Sequence, residues 1–333
     1  MKVAIICGGP SSEHEVSCIS AAGVLSAIDR SKYEPVLIGI TKTGKWVLLP
    51  LDHEFKISNG VLPSVPENAP EISSDLTKLN VEIAFPVLHG AYGEDGEIQK
   101  HFESIGIKYV GNGVEASANA MDKSIAKEIF KKAGLKVASG AELKLGDEIS
   151  DLGVGYPLFV KPASGGSSRG THKVHSPTEL QAAVTDAFKF DSKVMLEKAI
   201  VGREIEVAVL ESKGASVPGE IKIDPKFEFY DFEAKYLDDS ADLIVPAKLD
   251  KKLLDQVQML ATRVFDLLNC EGLARVDFFV TKDDEVLVNE INTMPGFTSI
   301  SMFPRMWEAT GLKYEELIDY LIQEALDRPL GLH

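Results

Sequence analysis

Four polar residues in the C-terminal third stand where strand interiors normally carry apolar ones. In the run from Glu271 to Ser301, Arg275 and Asp277 lie two apart within the apolar stretch Leu273 to Val280. Glu290 and Asn292 lie two apart within a second stretch, Glu285 to Asn292. Side chains alternate along a strand, so each pair shares one face. A two-residue turn at Asp283-Asp284 then predicts Asp277 opposite Glu290 and Arg275 opposite Asn292. Carboxylates facing each other at roughly 4.5–5.5 Å between Cβ atoms repel and weaken a sheet. A divalent cation between them makes that arrangement useful, because Mg²⁺ takes one or two carboxylates and completes its shell with water and phosphate oxygens. The competing interpretation is a solvated hairpin face with unpaired acids; Arg275 and Asn292 on the same face favour a site.

A second group lies upstream. Lys161 ends an apolar strand and opens the loop Pro162-Ala-Ser164-Gly165-Gly166-Ser167-Ser168-Arg169-Gly170. A lysine supplies a point charge for phosphate, and small residues let backbone N–H groups approach the oxygens. Val194 to Ile200 then runs from an apolar strand into Glu197-Lys198, with Glu204 shortly after. Such a linker suits the edge of an adenine, and a carboxylate beyond it suits ribose hydroxyls. Strand-edge charge accounts equally well for Glu197 and Glu204 taken alone. No G-x-x-x-x-G-K-[ST] run is present. Gly111-Asn-Gly113-Val-Glu-Ala116 matches G-x-G-x-x-A but lacks the acidic residue ending a following strand, so it is not read as a dinucleotide site.

These groups need a scaffold of two or three domains, the usual expectation for 333 residues. With 44% apolar and 26% charged residues the composition is globular. A net charge of −16 argues against nucleic acid or an anionic membrane as partner, so an anionic ligand must meet a local basic cluster. Three cysteines without metal-type spacing do not make a disulfide framework. No apolar run approaches the ~18–20 residues of a membrane span, and the polar turn after Cys7 does not fit a signal peptide; a cytoplasmic protein is expected.

The opening pattern is strand (Val3 to Cys7), helix (Glu15 to Ile28) and strand (Tyr33 to Ile40), which predicts a parallel sheet. A short hairpin follows at Thr41 to Leu49, then a strand at Val81 to Leu88 and a helix from Glu97. The segment Val114 to Ala133 is expected to be helical throughout. Strands are expected at Leu158–Lys161, Val194–Glu197 and Ile205–Leu210, and helices at Pro177–Phe188, Leu253–Leu268 and Tyr314–Ala325. The expected fold class is α/β (α+β), divided into residues 1–111, 112–197 and 198–333.

Lysine-plus-serine loop, Glu-Lys linker and R-x-D…N-E-I-N hairpin, in this order, resemble the ATP-grasp enzymes, in which two α+β units clasp ATP. The resemblance extends over essentially the whole chain to the D-alanine–D-alanine ligases. It rests also on Gly8-Gly-Pro-Ser-Ser-Glu-His-Glu15-Val-Ser17, Leu88-His89-Gly90 with Gly93-Glu-Asp-Gly96, Met121-Asp-Lys123, Tyr230-Asp-Phe-Glu-Ala-Lys235-Tyr236 and Thr293-Met-Pro295-Gly296. Arg169 departs from the pattern, standing where such ligases usually carry a small apolar residue.

The resemblance implies ligation of two D-alanines through an acyl phosphate, with ATP as co-substrate and two Mg²⁺ or Mn²⁺ on Asp277, Glu290 and Asn292. Lys123 and Lys161 would meet nucleotide phosphates, and Glu197, Lys198, Ile200 and Glu204 the nucleoside. Lys235 would approach the γ-phosphate from a lid over residues 227–242. Arg275 and the Gly296 N–H would form the oxyanion hole. Glu15, oriented by Ser167 and Tyr236, would anchor the first D-alanine's ammonium, although Ser12-x-x-Glu15 also reads as a helix capping box. His89 would edge the substrate cleft. Ser301 would take the second carboxylate or simply cap the next helix. A homodimer is likewise implied. Tyr236 resembles the alanine-specific form, with D-lactate or D-serine as alternative second substrates.

Overall fold

A computed structural model of the chain describes residues 1–56, 61–223 and 241–329. Three sheets organise it. The first is built from β1 (Lys2–Gly8), β2 (Glu34–Ile40), β3 (Trp46–Leu49), β4 (Ile83–Pro86) and β5 (Lys108–Tyr109) in the order β3-β2-β1-β4-β5. Its pairings are parallel except for the antiparallel β2–β3 hairpin. Strand β1 is apolar at nearly every position because both faces are covered, as parallel sheets require. Val3, Ile5 and Cys7 enter one core, Ala4 and Ile6 another. Helix α1 (His14–Ala27) follows β1, and α2 (Glu97–Ile105) packs Ile98 and Phe102 on the opposite face.

The expected continuous helix from 114 to 133 is two helices, α3 (Val114–Met121) and α4 (Lys123–Lys132). Asp122 breaks it. Its backbone is extended, and its carboxylate accepts the Ser124 and Ile125 N–H groups, capping α4. A short-side-chain acid that satisfies orphan N–H groups thus outweighs the helical propensity around it.

The central sheet consists of β6 (Gly140–Lys144), β7 (Leu158–Pro162), β8 (His172–Val174) and β9 (Lys193–Lys198), ordered β6-β9-β7-β8 and antiparallel throughout. Helix α5 (Pro177–Ala187) covers one face, burying Leu180, Ala183 and Val184 against Leu158, Val160, Val194 and Leu196. Alternation sends Phe159 and Lys161 of β7, and Met195 and Glu197 of β9, to the other face.

The third sheet holds β10 (Gly202–Leu210), β11 (Gly214–Ala215), β12 (Gly219–Ile223), β13 (Ala241–Ile244), β14 (Leu273–Thr281) and β15 (Val286–Asn292). The order is β13-β12-β10-β14-β15, with β11 beside β10. Helix α6 (Lys251–Leu267) and helices α3 and α4 share this sheet's core through Val257, Val264, Ala120 and Phe130. Helices α7 (Met302–Thr310) and α8 (Tyr314–Asp327) lie instead in a core shared by the first and third sheets, to which Val3, Ile5 and Phe85 contribute from one and Ala208, Leu210 and Leu273 from the other; α7 packs on β10, and α8 on β4 and β5. The hydrophobic cores therefore tie distant stretches of sequence together.

The β14–β15 hairpin departs from its expected turn. Thr281 donates its N–H to Glu285 O at 3.0 Å, so the loop is Lys282–Asp284 with Asp284 left-handed at φ 59°. That shifts the pairing near the turn to Val280–Val286 and Phe278–Val288. A bulge beyond Phe278 restores the expected pairing at the functional end: Asp277 faces Glu290, and Arg275 faces Asn292.

Candidate active site

The site lies between the loops after β1 and β4, the loop after β7, the N-terminus of α4, and the hairpin β14–β15. Asp277 and Glu290 face one another across the hairpin, each already neutralised by a cation. Arg275 donates Nε to Asp277 Oδ1 and a terminal N–H to Oδ2, both at 2.7 Å, and lies 3.4 Å from Glu206. Burial alone would lower the Arg275 pKa, but Asp277 and Glu206 hold it well above its ordinary value. Lys123, the first residue of α4, donates to Gly165 O at 2.6 Å and sits 3.6 Å from Glu290 Oε2. It therefore joins the phosphate-type loop to the acidic hairpin. Among the described residues no cluster of three or more His, Cys, Asp or Glu ligands occurs. Two carboxylates and the Asn292 amide nevertheless suit Mg²⁺, which draws its other oxygens from water and nucleotide.

Lys161 and Glu197 project from the face of the central sheet opposite α5, on neighbouring strands, and they are ion-paired. The other Glu197 oxygen accepts from Lys127 of α4, a residue the sequence reading passed over. Burial favours a neutral Glu197, but Lys127 and Lys161 outweigh it and hold the carboxyl at about 2. Lys198 donates its ammonium to Tyr156 O at 2.8 Å and its backbone N–H to Ser139 O. Ile200 is half-buried just past β9. Glu204 lies on β10 between Phe279 of β14 and Ile221 of β12.

The Ser167 contact falls on a different glutamate from the one expected. Ser167 Oγ donates to Glu13 Oε1, not to Glu15. Glu13 is 6% exposed, and the approach of its Oε2 explains two glycines. A Cβ on Gly90 would lie 2.7 Å from that oxygen, and one on Gly166 would overlap it. Glu15 turns away to pair with Lys42. Partial burial pushes its pKa up, but the Lys42 hydrogen bond prevails and lowers it. The expected capping box is absent as well: α1 starts at His14, and the Glu13 N–H is taken by Ser11 Oγ at 2.9 Å. The signal for Glu13 lay in the helix period. Glu13, Ser17 and Ser20 fall on one stripe; Ser17 bonds Gly8 N and Val87 O, and Ser20 bonds His89, so that stripe faces the cleft loops.

His89 is buried with both ring nitrogens engaged, Nδ1 with Met294 O and Nε2 with Ser20 Oγ, each at 2.8 Å. It grips the hairpin exit instead of presenting a free ring, and burial lowers its pKa. Glu94 was also missed. Its Oε1 accepts from Met294 N–H at 3.1 Å and its Oε2 from Gly90 N–H at 2.7 Å. Burial, aided by the negative charge of Glu13, pushes it up to about 8. Gly296 follows two residues after this clamp, close to Ser301: a Cβ on it would meet Ser301 Oγ at 3.3 Å. Ser301 occupies the N-cap position of α7 but makes no side-chain cap; its hydroxyl engages Thr298 N–H and Thr298 Oγ1. Lys235 and Tyr236, with most of the expected lid, lie outside the described residues.

A lysine-bearing sheet opposed to an acidic hairpin across a glycine-rich loop defines an ATP-grasp fold. Family models described as the D-ala D-ala ligase N-terminus and C-terminus match residues 2–112 and 129–323. A D-alanine–D-alanine ligase from Oceanobacillus iheyensis is 45% identical, covering 98% of this chain and 95% of its own. Two solved structures are similar throughout. The VanG D-Ala:D-Ser ligase of Enterococcus faecalis has TM-score 0.81 and 34% identity, over 97% of this chain and 99% of that one. A D-alanine–D-alanine ligase of Bacillus anthracis complexed with ATP has TM-score 0.77 and 29% identity, over 98% and 97%. The chain belongs to the D-alanine–D-alanine ligase family.

Proposed function

We infer that this protein joins two D-alanines into D-alanyl-D-alanine at the expense of ATP, a step of peptidoglycan precursor synthesis. The reading rests on family membership over the full chain and on one local observation: Lys123 bridges the glycine-rich loop to an acid pair, beside the Glu13–Ser167 contact. The first D-alanine places its ammonium on Glu13, and Ser167 fixes that carboxylate. Its own carboxylate attacks the γ-phosphorus of ATP, and ADP leaves. Lys123 and Lys161 offset phosphate charge, and positioning with electrostatics supplies most of the rate in such a transfer. Asp277, Glu290 and Asn292 would hold Mg²⁺ or Mn²⁺, which would supply charge neutralisation to the nucleotide phosphates. The second D-alanine's amine then attacks the acyl phosphate, and inorganic phosphate departs. Arg275 and the Gly296 N–H stabilise the tetrahedral oxyanion, and Ser301 receives the second carboxylate.

Glu197, Lys198, Ile200 and Glu204 line the nucleoside end, and Lys235 and Tyr236 close the site from the lid. The proposal includes the three-part division at residues 111 and 197, two metal ions, a homodimer and a cytoplasmic location. No helix among the described residues is long and apolar enough to cross a membrane. The test is phosphate release from ATP with D-alanine, D-serine, D-lactate and L-alanine, singly and in pairs, with product analysis. D-alanyl-D-alanine from D-alanine alone supports the reading. Equal turnover with L-alanine, or ADP without dipeptide, refutes it; a mixed product formed in preference to the homodipeptide assigns the D-serine or D-lactate variant.

A further inference from the structure

Helix α4 sends two lysines to two different carboxylates. Lys123 and Lys127 are four residues apart and share a helix face. Lys123 reaches Gly165 and Glu290, whereas Lys127 reaches Glu197 at the nucleoside end. Lys127 and Glu197 are 2% and 4% exposed. Lys161 holds the second Glu197 oxygen, so two ammoniums serve one carboxylate. For a resting ion pair one cation would suffice. The surplus has a use if Lys161 has somewhere else to go.

In the reading above, which this inference presupposes, Lys161 binds nucleotide phosphate. It cannot leave a buried carboxylate without a second cation to stay behind, because an unpaired buried charge is strongly unfavourable. We propose that Lys127 is a positioning residue for nucleotide binding: it retains Glu197 as a charged, fixed acceptor while Lys161 exchanges from Glu197 to the incoming phosphates. Lys161 is suited to that exchange, since its side chain keeps 13% exposure where Lys127 keeps 3%. Both belong to secondary structure, so the exchange needs only a side-chain rotation on β7. The charge balance also closes: the triad carries one net positive charge before binding, and the nucleotide brings the matching anion.

The charged groups facing Lys127 are Glu197 from β9, Lys161 from β7, and Glu290 from β15 farther off; Lys123 and Lys131 flank it on α4. Burial, with repulsion from Lys161, brings the Lys127 ammonium down to about 8 against the pull of Glu197. Nucleotide affinity should therefore weaken as pH rises through that value.

The experiment is calorimetric binding of ATP with Mg²⁺, and of adenosine, to the full chain as wild type, Lys127→Met, Lys127→Arg and Lys161→Met. Methionine keeps the bulk of the stem and removes the charge. Lys127→Met should weaken ATP on the order of tenfold, the worth of one charge-assisted contact, and leave adenosine unchanged, because Lys161 then stays on Glu197. Lys127→Arg should restore most of the ATP affinity and abolish its weakening above pH 8. If Lys161→Met weakens ATP but Lys127→Met does not, the exchange is refuted and the phosphate role of Lys161 stands. Equal losses for ATP and adenosine in Lys127→Met mean a purely structural lysine and also refute it. ATP binding unaffected in Lys161→Met overturns the underlying assignment itself. Should Lys127→Met not fold, the arginine variant and the wild-type pH dependence decide: a flat profile between pH 7 and 9 overturns the proposal.

Discussion

Exchanging Glu13 for glutamine separates the proposed ammonium anchor from the contact that residue makes with the loop after β7. Glutamine preserves size and leaves an oxygen to accept the Ser167 hydroxyl, so the loop after β7 keeps its contact. What disappears is the negative charge. A hydrogen bond to a charged group is worth about 1.5–3 kcal/mol when it is sequestered from water, and Glu13 is buried. At about 1.4 kcal/mol per factor of ten, half-saturating D-alanine should rise by roughly 10- to 100-fold, with ATP affinity unchanged. Glu15→Gln is the matched control. Glu15 pairs with Lys42, whose side chain is 56% exposed, and surface pairs are worth about 0–1 kcal/mol. That variant should lose at most about 1 kcal/mol of stability and keep its D-alanine dependence. Steady-state phosphate release with D-alanine varied at saturating ATP, paired with thermal melts, reads both. A raised D-alanine requirement in Glu15→Gln, with a normal one in Glu13→Gln, would refute the assignment and return the anchor to Glu15.

Three further outcomes follow from the same geometry. Gly166→Ala places a methyl against Glu13 Oε2, so kcat/KM for D-alanine should fall on the order of 100-fold, the cost of roughly 1 Å of misplacement, with the melting temperature held; unchanged kinetics would show that the loop yields. Glu94 is raised to about 8; a carboxyl raised in the folded state stabilises fully below its unfolded pKa near 4.5, and that stability is lost as pH climbs through about 8. Glu94→Gln should thus gain on wild type as melts move from pH 5 to pH 9, and parallel curves would contradict the shift. Glu290→Gln should abolish Mg²⁺-dependent turnover while the fold survives, because it removes a proposed ligand but relieves the repulsion with Asp277 across the hairpin; an unaltered Mg²⁺ titration would remove Glu290 from the site.

Period-two alternation made Arg275, Asp277, Glu290 and Asn292 legible, and their cross-strand partners are those the alternation indicates. The route to that register was not legible. A three-residue loop with left-handed Asp284 and a bulge beyond Phe278 offset one another, and each depends on backbone angles that two aspartates in a turn leave open. The reverse happened at Glu15. The resemblance pointed to it and the local pattern Ser-x-x-Glu offered only a cap, but residues two apart on a helix face nearly opposite directions, and only Glu13 shares the stripe of Ser17 and Ser20. Lys127 was signalled by its spacing from Lys123, yet a lysine buried to 2% exposure is hard to anticipate before its two partners are known. Nothing local announces that α8 packs on the first sheet; that is tertiary packing over nearly the whole chain length.

The buried polar groups around the hairpin exit divide by what they hold. His89 and Glu94 take the C=O and the N–H of one residue, Met294. Ser20 accepts the Phe297 N–H, and Asn112 donates to Leu273 O and Thr293 O while accepting the Glu271 N–H. Buried side chains thus satisfy the main chain on both sides of the hairpin exit, where an unpaired group would be costly. The consequence is geometric. The stretch from Thr293 to Phe297, with the proposed oxyanion donor at Gly296, is fixed to the same loops that carry Glu13 and Gly90. The proposed acceptor of the ammonium and the proposed donor to the oxyanion are therefore tied to each other by hydrogen bonds between the first and third sheets. The central sheet meets this frame through Ser167 on Glu13 and through Gly165 on Lys123. Under the proposed function, nucleotide delivered on that sheet would arrive at a substrate geometry already in place, the arrangement that turns binding into a near-attack alignment of carboxylate and phosphorus.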